Sequence, residues 1–438
     1  MRYNIVEKFD TIKEMLNLAV EQAGDKIAFM YKDKNDIKKV TYKEFQEDTI
    51  SLGTALVNKG LENAHIAVIG ENSYNWLTVY LTVLKTNGVI VPVDKELPIN
   101  DIIEVLSHSD SEVLFYSKKF EKYIVELKEK LPNIRYFIGF AKENEEENIL
   151  SYTKFKEEGD KLYKEGDTSY IDIITNPEDL RMLVYTSGTT GKSKGVMLTE
   201  RNLVSSVYYG LQVSTVYTRC LSVLPYHHTY EAVAGILVAL HKHVTICIND
   251  NLKNVLKNLQ IYKPDYIYLV PAFAEVFYKK IWSNAKKEHK ELGLKILIKI
   301  SNILRKIGID KRKVFFKSIH NAFGGNLIKI VAGGAPIRAE LGDFFDAIGI
   351  NLINGYGITE CSPLVSANMD DFNDPRTVGM PLMCVSVKLD NITEDGEGEM
   401  VRELHKENDI DYEYHRKLVD EAVKEISKYG DFEWFVDD

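Results

Sequence analysis

Length, composition and charge exclude several classes of protein. The 438 residues are too many for one hydrophobic core and predict two or more domains or subdomains. The composition is that of a globular protein, and the net charge of −10 argues against a general nucleic-acid binder. The N-terminus has no apolar signal region, and no run approaches the roughly 20 apolar residues of a spanning helix. We therefore expect a cytoplasmic protein that is soluble or attached to a membrane only at its surface. The four cysteines are far apart in the sequence and lack the spacing of a metal site, so we expect reduced thiols: Cys220, Cys247, Cys361 and Cys384.

Strand-like runs alternate with helical patterns along the chain. Helical periods fall at 12–22, 42–59, 76–86 and 252–261. The strand-like runs lie at 65–69, 88–93, 112–116, 134–138, 180–185, 221–224, 244–248, 266–270, 327–331 and 350–353. Because these runs are apolar and separated by helices, they predict an α/β fold of mostly parallel sheets covered by helices on both faces.

The most informative segment runs from Tyr185 to Thr199, directly after a strand-like run. It contains seven hydroxyl residues, three glycines and two lysines. Glycines allow close backbone approach to a ligand, hydroxyls and N–H groups can surround phosphate oxygens, and a lysine adds positive charge. A Walker A loop is excluded, because the glycine it needs five positions before Gly191 is replaced by Thr186. The segment therefore predicts a phosphate-binding loop at the end of a strand, in preference to a flexible linker. The candidate residues are Thr186, Ser187, Gly188, Thr189, Thr190, Gly191, Lys192 and Lys194.

Residues 279–317 form a long basic segment with many apolar residues at helical spacing. One interpretation is a pair of amphipathic surface helices with a solvated charged face. The other is a patch for anionic lipid headgroups, which would give the protein a peripheral membrane contact. The sequence leaves both open.

Three further motifs follow the phosphate loop in order. They are Leu224-Pro-Tyr-His-His-Thr-Tyr-Glu231, Ala332-Gly-Gly-Ala-Pro-Ile337 and Asn354-Gly-Tyr-Gly-Ile-Thr-Glu-Cys-Ser-Pro363. The last combines an aromatic face that suits a base, a hydroxyl that suits a phosphate oxygen, and a carboxylate that suits a hard cation. Histidines beside aromatics, or glycines in a strand-to-helix turn, are weak signals when they occur alone.

Together the four segments resemble the adenylate-forming (AMP-binding) superfamily, whose members activate carboxylates with ATP. The form of residues 224–231 is similar to the long-chain fatty acyl-CoA synthetase branch. The resemblance implies the large domain of an ATP- and Mg²⁺-dependent ligase that converts a long-chain fatty acid to an acyl-adenylate. In the family, transfer to a thiol follows, usually that of coenzyme A. An acyl-[acyl-carrier-protein] ligase, or a catalytically reduced protein that binds nucleotide or fatty acid, stays open as an alternative.

The resemblance also assigns roles to individual residues. His228 would lie beside the acyl carboxylate, Tyr356 would stack on adenine, and Thr359 would touch the α-phosphate. Glu360 would hold Mg²⁺, and Lys194 or Lys192 would offset phosphate charge. The remaining nucleotide-binding candidates are glycine-turn residues: Gly333, Gly334, Ala335, Pro336, Asn354, Gly355 and Gly357.

The resemblance extends from about residue 8 to about residue 399. It implies a large domain over 1–375 with two α/β subdomains, and the start of a small, incomplete β-barrel subdomain over 376–399. Residues 400–438 lack the family's Thr-Gly-Asp turn, hinge and C-terminal lid with its lysine, and instead predict an acidic helical tail. From this we expect slow adenylation and no thioester synthesis by the chain alone.

Overall fold

The structure is a computed structural model that describes residues 3–187, 193–390 and 399–404. The chain divides into two compact units. The larger unit comprises Lys8–Val204 and Tyr217–Pro264, and the smaller unit comprises Met1–Glu7, Ser205–Val216 and Asp265–Asp438. Both units are therefore built from segments that are distant in sequence.

Helices form a large part of both units. The α-helices are α1 Ile12–Ala23, α2 Tyr42–Asn58, α3 Tyr74–Val83, α4 Ile99–His108, α5 Ile124–Lys130, α6 Tyr152–Lys164, α7 Glu200–Val213, α8 Val238–His241, α9 Val255–Tyr262, α10 Pro271–Lys287, α11 Glu291–Lys306, α12 Arg312–Phe315, α13 Lys317–Ala322 and α14 Ala339–Ala347. Short 3₁₀ helices cover Lys118–Tyr123, Leu252–Asn254 and Thr359–Cys361, and a π-helix covers Tyr230–Leu237.

The strands are short, and most are buried. They are β1 Ile27–Asp33, β2 Asp36–Thr41, β3 His65–Ile69, β4 Val89–Val93, β5 Val113–Tyr116, β6 Tyr136–Gly139, β7 Ile149–Ser151, β8 Leu180–Ser187, β9 Ser193–Thr199, β10 Arg219–Ser222, β11 Thr245–Ile248, β12 Tyr266–Leu269, β13 Lys329–Ala332, β14 Asn351–Gly357, β15 Leu364–Ala367, β16 Met380–Pro381, β17 Val385–Asp390 and β18 Glu399–Leu404.

The larger unit contains a seven-stranded sheet in the order β7-β6-β5-β3-β4-β8-β9, and its pairs are parallel except β8–β9. A second group of strands has the order β10-β11-β1-β2 and is parallel except for β1–β2. Helix α2 contacts β1, β2 and α3, and α3 contacts β3 and β4. Helices therefore lie between the two strand groups, as the alternation of apolar runs and helical patterns predicts.

The smaller unit contains strands in the order β16-β15-β14-β13-β12, in which β12, β13 and β14 are parallel. Strands β15 and β16 continue this sheet antiparallel. A buried cluster around Tyr209, Val365, Phe372 and Leu382 packs beside the end of β14. The mostly parallel α/β architecture predicted from the sequence is confirmed in each unit.

The C-terminal segment differs from its predicted helix where the structure describes it. Residues 399–404 form β18, which pairs antiparallel with β17 from Val385↔Leu404 to Asp390↔Glu399. These residues are extended because each of them pairs with a residue of β17, a contact distant from any local helical signal. In the described part of 376–404 the strands pair as an open ladder, and a closed barrel is not seen there. The rest of the predicted tail, 405–438, lies outside the described residues.

Two further sequence expectations concern cysteines and membrane spans. All four cysteines are free and buried. Within the described ranges, none of the helices combines the length and apolar character that crossing a bilayer requires.

Candidate active site

The predicted phosphate loop joins two paired strands at the edge of the seven-stranded sheet. Strands β8 and β9 are antiparallel, with Thr186 opposite Lys194 and Ser187 opposite Ser193. Directly opposed residues of such a pair project from the same face, so the half-buried Thr186 and the exposed Lys194 lie side by side next to the loop. Gly188, Thr189, Thr190, Gly191 and Lys192 lie outside the described residues, as does the side chain of Ser187.

The base of this hairpin is fixed by a buried ion pair. Arg181 in β8 and Glu200 at the start of α7 are both fully buried, with Arg181 Nε 3.4 Å from Glu200 Oε2. Glu200 Oε1 accepts a hydrogen bond of 2.8 Å from the backbone N–H of Ile12. Burial raises the pKa of Glu200, while that N–H and the Arg181 guanidinium oppose the rise. This ion pair therefore fixes the end of the hairpin that is distant from the loop. The sequence motif at 185–199 gives no indication of the pair.

His227 and His228 lie in the loop after β10. Their ring centroids are 4.2 Å apart, and His227 Nε2 is 3.5 Å from Asp94 Oδ1. Burial lowers the pKa of His227 to about 4, with a further decrease from His228, although the Asp94 carboxylate opposes it. Burial also lowers the pKa of His228. Both imidazoles are therefore neutral at neutral pH, and each can donate one hydrogen bond without adding a charge.

Two side chains that the sequence analysis missed hold the histidine loop. Asn72, after the end of β3, donates to Leu224 O at 2.7 Å and accepts from the backbone N–H of Tyr226 at 3.3 Å. Glu231 is buried at the start of the π-helix and accepts a short hydrogen bond from the Ser222 hydroxyl. Burial raises the pKa of Glu231 to about 8. Hydrogen bonds from Ser222 and from backbone N–H groups of the loop oppose this increase. Glu231 closes the motif at 224–231, so its position was visible in the sequence although its role was not.

The histidine loop and the phosphate hairpin lie at the same edge of the larger unit's sheet. Asp94 follows the end of β4, and β4 pairs in parallel with β8 through Ile90↔Met182. Continuing this register places Asp94 at the level of Thr186. Because His227 contacts Asp94, it lies at the carboxyl ends of β4 and β8, where parallel sheets bind ligands.

The other two motifs meet at the carboxyl edge of the smaller unit's sheet. Ala332, which ends β13, pairs with Asn354 in β14. The glycine turn follows at once, with Gly333 buried and Gly334, Ala335 and Pro336 exposed. Gly334 has φ +81°, a conformation that a side chain would strain. The turn and the end of β14 are therefore neighbours, although some 20 residues separate them in sequence.

The end of β14 presents the aromatic, hydroxyl and carboxylate groups of the third motif. Tyr356 and Thr359 are half-buried and Glu360 is exposed. A side chain at Gly357 would place its Cβ 2.3 Å from Pro363 O, so the tight return of the chain requires glycine. The buried Asn354 uses its side-chain amide to donate to Thr377 O at 2.8 Å, and it thereby ties β14 to the loop before β16.

Lys194 and Glu360 are exposed charged groups of the motifs. Among the described residues, three or more His, Cys, Asp or Glu side chains do not converge on a common point. Mg²⁺ commonly binds one or two carboxylates and takes its other ligands from substrate phosphates and water. The single exposed carboxylate of Glu360 fits that pattern, and the exposed Lys194 fits a phosphate.

Comparison with known proteins identifies the family of the chain. The sequence profile of the family described as AMP-binding enzyme matches residues 16–403. The chain belongs to this family. It is 25% identical to the long-chain-fatty-acid–[acyl-carrier-protein] ligase AEE15 of Arabidopsis thaliana, over 87% of this chain and 60% of that protein. It is 27% identical to the long-chain-fatty-acid–CoA ligase FadD15 of Mycobacterium bovis, over 82% of this chain and 61% of that protein. The chain thus spans about 60% of the length of these relatives.

Solved structures of the family share the fold. The long-chain-fatty-acid–CoA ligase FadD1 of Archaeoglobus fulgidus matches with a TM-score of 0.69 at 18% identity, covering 92% of this chain and 77% of that chain. The N-terminal domain of FACL13 from Mycobacterium tuberculosis matches with a TM-score of 0.67 at 16% identity, covering 90% and 89%. The architecture is therefore that of adenylate-forming enzymes.

Proposed function

We propose that this chain binds Mg²⁺–ATP and a long-chain fatty acid and joins them as a fatty acyl-adenylate. The observation that carries the proposal is the arrangement of the four motifs. Each unit presents two of them at the carboxyl edge of a parallel sheet, in a chain of the AMP-binding family. The names of AEE15 and FadD15 support a long-chain fatty acid as the carboxylate substrate.

The reaction is a displacement at phosphorus. A carboxylate oxygen of the fatty acid forms a bond to the α-phosphorus while the bond to the bridging oxygen of the β-phosphate breaks. Pyrophosphate leaves with that electron pair, and no proton transfer is required because the acid is already ionised. Such reactions are accelerated mainly by positioning and by compensation of charge.

The residues of this chain supply those two effects. Lys194 places a positive charge beside the phosphates, and Thr359 donates its hydroxyl to an oxygen of the α-phosphate. Glu360 would hold Mg²⁺, which offsets the negative charge of the phosphates, and Tyr356 provides a face for the adenine ring. Neutral His228 donates a hydrogen bond to the fatty acid carboxylate. Because it carries no charge, it orients this nucleophile without binding it in an ion pair.

The acceptor thiol has two candidates. FadD15 is named for coenzyme A and AEE15 for acyl-carrier protein. We propose coenzyme A as the acceptor used by the whole protein. Incubating the whole protein with ATP, Mg²⁺, palmitate and each thiol in turn, and identifying the thioester by mass spectrometry, decides between the two.

Adenylation can be measured without an acceptor protein. The chain is incubated with ATP, Mg²⁺, palmitate and hydroxylamine, and pyrophosphate and palmitoyl hydroxamate are quantified. We expect both products in the wild-type chain, and a loss of about tenfold or more in Glu360→Gln. Glu340→Gln, another exposed carboxylate of the smaller unit, serves as the matched control and should retain wild-type rates. Absence of both products in the wild type, or full Mg²⁺-dependent activity in Glu360→Gln, would contradict the proposal.

A further inference from the structure

Helix α11 exposes an apolar stripe that the other described residues leave uncovered. Leu292, Ile296, Ile300, Ile303 and Ile307 are between 42% and 71% exposed. They are spaced by three or four residues, so they form one continuous line along α11 and its C-terminal cap. We call this line the α11 stripe.

The opposite side of α11 is fixed against the protein. Leu294 and Ser301 are buried, and Arg305 forms hydrogen bonds of 2.6 and 3.3 Å with the Asp346 carboxylate in α14. Arg312 donates to the same carboxylate at 3.0 Å. The helix is therefore held in one rotational orientation, and the α11 stripe cannot turn towards the core. An amphipathic surface helix needs one apolar face, whereas α11 has a second that faces outward.

The charge around the stripe is opposite to that of the whole chain. Residues 279–317 contain thirteen Lys and Arg residues against three acidic ones, which gives the segment +10, whereas the chain carries −10. Lys295, Lys299 and Lys306 each precede a stripe residue, so they line one border of it. Beyond α11, Lys311, Lys313 and Lys317 are also exposed, beside the exposed Val314.

We propose that the α11 stripe and its lysine border dock the protein on the surface of an anionic lipid bilayer. Aliphatic side chains would enter the boundary between headgroups and acyl chains, while the long lysines reach the lipid phosphates. The combination of exposed aliphatic side chains with lysines favours a lipid bilayer over a polyanion such as a nucleic acid, because isoleucines would have no partner on a phosphate backbone. The same charge disfavours a symmetric dimer through this face, because such a dimer would place two segments of charge +10 against each other.

The proposal does not depend on catalysis, so it is tested without ATP or fatty acid. The chain is sedimented with phosphatidylcholine vesicles and with vesicles in which about a third of the lipid is phosphatidylglycerol. We expect binding to the anionic vesicles to fall steeply between 0.05 and 0.5 M salt, since exposed charges are screened on that scale (Debye length about 10 Å at 0.1 M). Equal binding to both vesicle types, or binding to neither, would overturn the proposal.

Two sets of variants separate the apolar and charged contributions. The triple variant Ile296→Gln, Ile300→Gln, Ile303→Gln should lose at least tenfold in partitioning onto anionic vesicles. Lys299→Gln with Lys306→Gln should weaken binding and reduce its salt dependence. Val125→Gln, at an equally exposed valine on α5 in the larger unit, is the matched control and should bind as the wild type does. All substituted side chains are exposed, so melting temperatures should stay unchanged.

Light scattering of the same proteins in solution completes the test. A wild-type oligomer that the triple variant converts to a monomer, with no vesicle binding by either, would assign the α11 stripe to self-association and overturn the proposal.

Discussion

Tyr356 lies at the end of β14 with one part of its ring against the buried cluster of the smaller unit and the other part accessible. The packed part restricts the ring, and the accessible part can receive a planar ligand. An aromatic face that is already held in place loses little conformational freedom when a base stacks on it. This residue therefore offers a direct test of nucleotide binding.

Replacing Tyr356 with leucine should weaken ATP binding by roughly 1 kcal/mol, or about fivefold, through the loss of stacking. Leucine retains apolar contact with the cluster, so the melting temperature should change little. Tyr356→Phe retains the ring and is the matched control. Titration calorimetry with Mg²⁺–ATP measures both, and equal affinities of the leucine and wild-type proteins would exclude Tyr356 from the adenine site.

The chemical types of the site residues followed from the sequence, but their electrostatic states did not. Two adjacent histidines give no indication of whether they are charged. Burial of both rings and their 4.2 Å separation decide that they are neutral. Likewise Asn72 precedes the histidine loop by about 150 residues, and its hydrogen bonds to Leu224 and Tyr226 depend on tertiary contacts that the sequence does not reveal.

At the scale of elements, the β8–β9 hairpin shows which strands sequence patterns can predict and which they cannot. The run at 180–185 was predicted as a strand, and β8 covers Leu180–Ser187. Strand β9 was not predicted, because Ser193–Thr199 mixes lysine, glycine and hydroxyl residues and owes its conformation to pairing with β8. The π-helix at Tyr230–Leu237 was missed for a related reason: seven of its eight residues are buried, so no polar face reveals a helical period.

The helices with a clear period were predicted within a few residues. The pattern at 12–22 corresponds to α1 at Ile12–Ala23, and that at 42–59 corresponds to α2 at Tyr42–Asn58. Both have hydroxyl N-caps: Thr11 accepts from the N–H of Glu14, and Thr41 forms a reciprocal capping box with Glu44. Local signals of this kind are sufficient to predict where a helix begins. For the basic segment, the period predicted helices but not which apolar residues face outward.

The buried pair at the base of the hairpin should be strongly coupled. Arg181→Met should lower the free energy of unfolding by about 3–5 kcal/mol, because it leaves the buried Glu200 carboxylate without its cation. Glu200→Ala should cost less than Arg181→Met, because Arg181 Nη2 keeps Asp179 Oδ2 at 3.5 Å. Glu200→Gln should cost less than Glu200→Ala, since its carbonyl can still accept from the Ile12 N–H. Chemical denaturation of single and double variants measures the coupling.

The neighbouring surface pair provides the control for this experiment. Arg201 Nε and Glu178 Oε1 are 2.6 Å apart, with side chains 44% and 52% exposed. Exposed pairs contribute roughly 0–1 kcal/mol, so the same cycle on Arg201 and Glu178 should give a small coupling. Equal couplings for the two pairs would show that burial does not strengthen the Arg181–Glu200 interaction.

At the scale of the whole molecule, one buried lysine makes stability depend on pH. Lys85 is 4% exposed, donates to Thr49 Oγ1 at 3.2 Å, and lies 5.4 Å from the centre of the Tyr170 ring. Burial lowers its pKa to about 7, and the nearby Lys13 contributes to the decrease. In the unfolded chain its pKa returns to about 10.4. Between these values the unfolded state binds a proton that the folded state has released, so raising the pH stabilises the fold.

Lys85→Met should therefore be more stable than the wild type at pH 7, and this advantage should shrink by about 2 kcal/mol between pH 7 and pH 9. Denaturation curves at both pH values measure the difference. Lys128→Met, at an exposed lysine of α5, is the control and should keep a constant offset from the wild type. Parallel profiles for Lys85→Met and the wild type would show that Lys85 does not titrate in this range.

The interleaved course of the chain through its two units has a consequence for biosynthesis. Tyr209 and Val213 belong to a short segment of the smaller unit, Ser205–Val216, that is translated between two segments of the larger unit. Their partners Val365, Phe372 and Leu382 emerge from the ribosome roughly 150 residues later, which at 5–20 residues per second is on the order of ten seconds. During that interval the apolar side chains of Tyr209 and Val213 lack the residues against which they pack in the folded protein. The smaller unit cannot complete this cluster until its C-terminal part has been synthesised. Chaperones that bind exposed apolar segments can act on the nascent chain during that interval.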